Sequence, residues 1–352
     1  MSRPGAASRA LIQYKQNWRS PLAAPRKEKR KYQRGAEPRL FISMEFRKNV
    51  SLAKHSNYKI GGPARYFFEA RTPAEVRTAL AEAKKRKLKV FILGGGTNLI
   101  ISDKGFNGLV LKIIVRGFSA KKNEVTVGAG ELMADLLKFA AQKRLSGLQW
   151  AGGLPGTVGG AVRGNAGAFG GETKDNIKSV RTLNTKTLKE KAWTNRQCWF
   201  GYRSSIFKEQ DGEEIVLEAT FTLEKGDEKN IRAEMNDHIR YRQEHQPLEY
   251  PNVGSIFKNV PLARVPKKWH AAFAPVVKTD PFPVVPTAYL LSEAGLKGVV
   301  HGGAMFSPKH PNFIVNVRKA KASDVKALIA LAQAEVRKKF GIKLEPEVIE
   351  VR

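Results

Sequence analysis

Apolar residues along this chain fall into short runs whose spacing changes from one segment to the next. ARYFFEA at 64–70 carries β-favouring aromatics, and PAEVRTALAEAKKRK at 73–87 repeats apolar residues every three or four positions. That predicts a strand followed by a helix. Thr72 and Pro73 form its start signal, the first as cap and the second at the first helical position. KVFIL at 89–93 then reads as a short buried strand running into Gly94, Gly95 and Gly96, which completes a β-α-β unit. Further on, the pattern predicts strands near 108–115 and 124–129, a helix over 131–144, a glycine-rich loop over 152–171, and strands near 177–183 and 214–223. A charged helix over 227–245 opens the last block, which ends in a helix over 323–339 and a final strand. Strands and helices alternate irregularly, so the expected class is α+β rather than a doubly wound parallel sheet. No internal repeat or heptad is present. The expected divisions are 1–43, 44–106, 107–225 and 226–352.

At 352 residues the chain is long enough for two or three compact domains, and its 42% hydrophobic content is that of an ordinary globular protein. Cys198 is the single cysteine, which excludes an internal disulfide framework and a cysteine-based metal centre. No apolar run reaches the roughly 18–20 residues of a membrane-spanning helix. The histidines lack metal-ligand spacing, so no catalytic metal is expected.

Charge needs a separate reading. Against 32 Asp and Glu stand 62 Lys and Arg, a net charge of +30. Residues 1–43 hold eleven of the basic groups and two Glu, and the rest of the surplus is spread along the chain. No helix-turn-helix, zinc-finger or aromatic RNA-binding signature focuses it, so a solvated basic surface is expected and no specific nucleic-acid partner. The first 43 residues read as a disordered extension, with RKEKRKYQR at 26–34 repelling itself. Their Arg-rich, acid-poor composition also matches that of an organelle transit peptide. Met44 offers an alternative start.

Two glycine clusters carry candidate chemistry. LGGGTNLIISD at 93–103 follows a buried strand, and adjacent glycines can aim successive N–H groups at one anion. No helix opens after it and the spacing is not GxGxxG, which disfavours the usual dinucleotide fold. AGGLPGTVGGAVRGNAGAFGG at 151–171 is denser still. So many glycines cost folding entropy, which points to something bulky approaching the backbone closely, such as a phosphorylated cofactor. Leu154, Val158, Ala161 and Ala168 interleaved through it suggest a packed segment.

KIGGPA at 59–64, LGGGTNL at 93–99, AGGLPGTVGGAVRGNAGAFGGE at 151–172, GYRSSIFK at 201–208, QPLEYPNVGSIFKN at 246–259, EAGLKG at 293–298 and LEPEV at 344–348 follow one another in a familiar order. In that order the chain resembles the UDP-N-acetylenolpyruvoylglucosamine reductase family over residues 50–350. The resemblance implies a two-subdomain FAD-binding fold of the vanillyl-alcohol-oxidase (PCMH) type, with a C-terminal α+β substrate-binding domain. It implies non-covalent FAD, NADPH as reductant, and reduction of the enolpyruvyl ether of UDP-N-acetylglucosamine to UDP-N-acetylmuramate, a cytoplasmic step of peptidoglycan precursor synthesis.

Residue by residue, the resemblance assigns Arg203, Ser255 and Glu347 as catalytic: a guanidinium on the substrate carboxylate, a hydroxyl proton donor and a carboxylate that orients and polarises the enolate. Glu345 is the less favoured acid of LEPEV. Cofactor contacts fall on Ile60, Gly61, Gly62, Gly94, Gly95, Gly96, Thr97, Asn98, Gly153, Pro155, Gly156, Thr157, Gly159, Gly160, Asn165, Gly167 and Ala168. Substrate contacts fall on Tyr202, Lys258 and Asn259. Lys258 is the candidate for activating Ser255, and Tyr202 reads equally as a packing residue. The chain looks like the shorter family type, which lacks an extra tyrosine-bearing segment. It departs from the family in PLARVPKKWHAAFAPVVKTDPFPVVPTAYLLS at 261–292, longer and richer in proline, which reads as an alternative lid. Three competing readings remain: another flavin oxidoreductase of the same cofactor fold, a nucleic-acid or membrane-surface binder using the basic charge, and an inactive FAD-binding scaffold. All three catalytic positions are filled, which speaks against the last.

Overall fold

A computed structural model describes residues 45–279 and 281–352. The extension expected over 1–43 and the alternative start at Met44 lie outside the described residues.

The first sheet is built from β1 (Arg47–Ser51), β2 (Pro63–Ala70), β3 (Val90–Leu93) and, beyond the short strand β4 (Leu99–Ile101), β5 (Phe106–Ile113). Its order is β1-β2-β5-β3, with β5 parallel to both β2 and β3. Helix α1 (Pro73–Lys85) covers it. The Thr72 side chain accepts from the Glu75 N–H at 3.1 Å, a cap that stabilises a helix by about 1 kcal/mol. Val76, Ala79, Leu80 and Ala83 make its buried stripe. Because β5 starts at Phe106 and lies between β2 and β3, the division expected between 106 and 107 comes one strand too early. Parallel neighbours are joined by long connections, so local patterning carries no trace of their pairing.

The second sheet is antiparallel, drawing on β6 (Phe118–Lys121), β7 (Glu124–Gly128), β8 (Ile177–Asn184), β9 (Glu190–Thr194) and β10 (Glu214–Thr222) in the order β9-β8-β10-β7-β6. Strand β9 is absent from the sequence reading. Between β7 and β8 lie α2 (Met133–Gln142) and α3 (Val158–Gly164). The second of these corrects the expected 152–171 loop: Val158, Ala161 and Val162 are buried on a seven-residue helix closed by Asn165 in the left-handed conformation. Helix α4 (Glu228–His245) is capped by Asp227 and buries Ile231, Met235 and Arg242. It packs on α2 and on the 149–151 turn, with Arg242 Nε donating to the Gly152 carbonyl at 2.8 Å. The division expected at 225/226 therefore belongs after α4.

The C-terminal part contains a two-strand pair, β11 (Val260–Pro261) with β12 (Val284–Val285), then α5 (Thr287–Glu293), and a small antiparallel sheet of β13 (Val300–His301), β14 (Ala304–Phe306) and β15 (Ile314–Asn316). Helix α6 (Ala322–Phe340) follows, ended by Gly341 at φ 73°. The chain finishes in β16 (Ile349–Val351), which returns to pair in parallel with β4.

This part's core also takes in Tyr58, Ile60 and Ile100 from the first block. The buried Tyr58 hydroxyl donates to the Ile314 carbonyl at 2.7 Å, and Asn316 Nδ2 donates back to the Tyr58 carbonyl at 3.0 Å. Asp103 accepts from the N–H groups of Ala322 and Ser323, at 2.8 and 3.2 Å, where its negative charge complements the start of α6. No helix among the described residues is long and apolar enough to cross a membrane.

Tyr58→Phe removes one donor and leaves the Ile314 carbonyl buried without it. The expected cost is about 1–2 kcal/mol, measured as a fall of a few degrees in melting temperature.

Candidate active site

The returning C-terminal strand sets the geometry. Lys258 N–H donates to the Glu345 carbonyl at 3.0 Å and Glu347 N–H to the Ile256 carbonyl at 2.8 Å, with Phe257 opposite Pro346. LEPEV thus runs antiparallel to the segment that carries Ser255. Beyond it, Ile349 N–H donates to the Asn98 carbonyl at 3.1 Å, and Asn98 Nδ2 donates to the Glu347 carbonyl at 3.1 Å. Glu347 therefore sits where the serine segment meets the 94–98 glycine turn.

Arg203 approaches from the other side. Its Nε lies 2.9 Å from Glu347 Oε1, and its Nη2 donates to the Gly167 carbonyl at 2.9 Å, which leaves further guanidinium donors over. It occupies the left-handed region at φ 54°, in a tight bend where Gly201 and Ser204 exchange backbone hydrogen bonds. Asn165, Phe169 and Trp199 share that strained region, at φ 42°, 50° and 44°. Such strain persists only where the surroundings impose it. Here Asn165 does so: fully buried, it donates to the Gly201 carbonyl at 2.9 Å and to Glu172 at 3.3 Å, and accepts from Lys174 N–H at 3.0 Å.

Three basic groups shape the field. Lys208 Nζ donates to the Arg203 carbonyl at 2.7 Å, and its pKa is lowered by burial and by Lys258. Lys258 itself turns to Glu345, whose carboxyl is held below its usual range chiefly by that contact. The ammonium expected to activate Ser255 is thus committed to another carboxylate. Arg242 is 8% exposed, lies 5.0 Å from the Phe169 ring, and has its Nη2 without a partner among the described residues. Burial, with Arg203 nearby, brings it down to about 10, so it stays charged at neutral pH. Sequence reading missed it, although an arginine continuing the apolar stripe of Ile231 and Met235 is a signal.

Of the expected substrate contacts, Tyr202 stands beside Arg203. Burial raises its pKa, against the pull of Arg203 and a backbone hydrogen bond from Asn259. Asn259 Oδ1 accepts from Thr287 N–H at 3.1 Å and so caps α5. Ser255 is half-buried, with no side-chain hydrogen bond among the described residues.

The two glycine segments meet face to face. A Cβ on Gly95 would lie 3.0 Å from Gly156 Cα, and one on Gly94 would lie 2.9 Å from Thr157 Oγ1. None of the N–H groups of residues 94–98 has a partner among the described residues, and neither do those of Gly156 and Thr157. This is a cleft lined by backbone donors, suited to an anion.

Comparison with known proteins decides the family. Residues 246–351 match the family model described as UDP-N-acetylenolpyruvoylglucosamine reductase, C-terminal domain, and residues 64–187 match the FAD binding domain. The UDP-N-acetylenolpyruvoylglucosamine reductase of Lactobacillus delbrueckii subsp. bulgaricus is 38% identical over 310 residues, 87% of this chain and 95% of that protein. That of Lachnoclostridium phytofermentans is 38% identical over 306 residues, 85% and 91%. The chain belongs to the UDP-N-acetylenolpyruvoylglucosamine reductase family. The crystal structure of the Thermus caldophilus member (MurB) matches with a TM-score of 0.69 at 29% identity, covering 88% of this chain and all of that one. The fold is accordingly the FAD-binding one with the reductase C-terminal domain, and that domain starts directly after α4.

FAD is the cofactor of a reductase of this family, and the residues present fit it, because its diphosphate requires the donors that the 94–98 turn and residues 156–157 leave unpaired. Several of the expected contacts also have packing neighbours of their own. Ile60 is in the C-terminal core, and Gly61 and Gly62 are needed for contact with Ile101 and the Asp103 backbone. Gly96 packs on the His55 carbonyl, Gly153 on Arg242, Gly159 on Ala129 and Gly167 on Glu172. Ala168 pairs with Gly171 in a short ladder, while Pro155 and Gly160 are exposed. No cluster of three His, Cys, Asp or Glu among the described residues could hold a metal ion.

Gly95→Ala would force the two loops apart. Folding stability should change little, while FAD affinity should fall roughly tenfold or more, read by flavin fluorescence titration of the apoprotein.

Proposed function

We propose that this chain reduces the enolpyruvyl ether of UDP-N-acetylglucosamine to UDP-N-acetylmuramate with electrons from NADPH, in the cytoplasm, using FAD bound without a covalent link. The observation that carries this reading is the Arg203–Glu347 ion pair, 2.9 Å apart, held beside the Ser255 segment at the edge of the donor-lined cleft.

The chemistry FAD supplies when bound is two-electron carriage, from NADPH to the terminal carbon of the enol. Residues 94–98 with Gly156 and Thr157 would hold its diphosphate through their unpaired N–H groups. The protein must then stabilise the negative charge that spreads into the substrate carboxylate once a hydride has been added. Arg203 does this: one edge is fixed by Glu347 and Gly167, and the remaining donors grip the carboxylate. The left-handed bend at Arg203 and the buried Asn165 beneath it preset that orientation, so little reorganisation accompanies the reaction. Glu347 keeps the guanidinium in register and polarises the developing enolate. Ser255 Oγ–H gives its proton to the carbon bearing the ether oxygen and regains one from solvent. The double bond thus gains one hydride and one proton, and NADPH loses the hydride. Arg242, Lys208 and Lys258 keep the surrounding potential positive, which favours capture of substrates that are all anions.

Ser255→Ala should leave reduction of bound flavin by NADPH intact and nearly abolish reoxidation of the reduced flavin by the enol ether, as followed by anaerobic stopped-flow absorbance. Equal slowing of both half-reactions would show that Ser255 is not the proton donor. In the wild type, the flavin band should bleach with NADPH and return on adding the enol ether. A band that stays bleached would favour a flavin oxidoreductase of different specificity.

A further inference from the structure

The described residues between 262 and 283 form an excursion from the β11–β12 pair, in which Val260 lies opposite Val285 and Pro261 opposite Val284. The middle of the excursion is anchored by aromatic packing. The Trp269 ring stacks on Phe273 at 5.6 Å and meets Phe340 edge-on at 5.3 Å, while its Nε1 donates to the Phe340 carbonyl at 3.0 Å. Phe273, 2% exposed, also meets Phe340 and Tyr289.

Near its two ends the excursion reaches the site. Arg264 Nη1 lies 3.4 Å from Glu345, two residues before Glu347. Phe282 meets the Tyr202 ring edge-on, 5.2 Å between centroids at 82°, one residue before Arg203. The excursion therefore brackets the Arg203–Glu347 pair from both chain directions. Phe282 takes no part in the hydrophobic core and remains half-exposed. Pro281 and Pro283 flank it, and the restricted backbone on either side holds the ring in place at small entropic cost.

We propose that Phe282 is a substrate-positioning residue: together with Tyr202 it forms an aromatic wall against which the hexose ring of the UDP-sugar ether packs, holding the enolpyruvyl end on Arg203. Ring faces carry partial negative charge, and the C–H face of a sugar is apolar and weakly positive. The wall adds contact without competing for the carboxylate or diphosphate. The inference rests on the substrate assigned under Proposed function.

The test uses full-length, FAD-loaded enzyme and steady-state turnover of the enol ether with NADPH. Phe282→Ala should raise KM for the ether roughly tenfold with kcat close to wild type, at an unchanged melting temperature, and Phe282→Tyr should restore KM. A KM that stays at the wild-type value in Phe282→Ala overturns the assignment, as does a rise that Phe282→Tyr fails to rescue. Absence of turnover in flavin-loaded wild type would instead remove the substrate reading on which the inference rests.

Discussion

The pairing of β16 with β4 is the contact on which the site depends. It joins the last residues of the chain to the strand that follows the first glycine turn, and it fixes the segment just before it, LEPEV, against the serine segment. Glu347 has half-buried surroundings and a charged partner, so its position must be set by backbone hydrogen bonds rather than by side-chain packing. A free carboxylate at a chain end would be solvated and mobile. Its N–H on the Ile256 carbonyl, its carbonyl under the Asn98 side-chain amide and, two residues on, the pairing of Ile349 with Leu99 make it instead a rigid part of the site. The Tyr58 and Asp103 contacts serve the same end from the first block, so the cofactor cleft and the C-terminal core keep a fixed relation.

Electrostatically the site is unbalanced by design of its anionic ligands. Glu347 answers Arg203, and Glu345 answers Lys258 and Arg264, but the buried Arg242 has no acidic partner among the described residues. An unpaired buried cation is costly, and its lowered pKa records that cost. Such a cost is sustained where a bound anion offsets it. Arg242 is held against the Gly152 and Gly153 backbone, at the start of the glycine-rich segment whose Gly156 and Thr157 carry unpaired N–H groups.

Much of this was legible in the sequence, and for stated reasons. The glycine clusters betray themselves because close backbone approach and positive φ exclude side chains, and the Thr72–Pro73 start of α1 is local chemistry. What escaped was set by distant partners. The placement of β5 in the first sheet and of α4 against α2 depends on pairings between segments far apart in sequence. Lys258 was expected to activate Ser255, yet its ammonium pairs with Glu345, a residue 87 positions further along the chain that only the fold brings to it. Asn165 and Gly167 stand in the glycine-rich motif and also fix Arg203 and its bend, since a motif records which residues occur together and not which atom each one touches.

The 262–283 excursion shows how such a site can be altered without rebuilding the fold. Its ends are adjacent strands already paired, so lengthening the connection costs little, about 0.6 kcal/mol for each doubling of loop length. That small cost is offset midway along the excursion by the Trp269, Phe273 and Phe340 cluster, which buries aromatic surface against the end of α6. The excursion's return end is tied by backbone hydrogen bonds between Lys278 and Val284 and from the Leu262 N–H to the Pro283 carbonyl, which leave the Phe282 side chain outside the core. A side chain placed there can be selected for what it touches, and Phe282 touches the ring next to Arg203. Stability and specificity are thereby assigned to different parts of one segment, the first to its aromatic middle and the second to its proline-flanked return end.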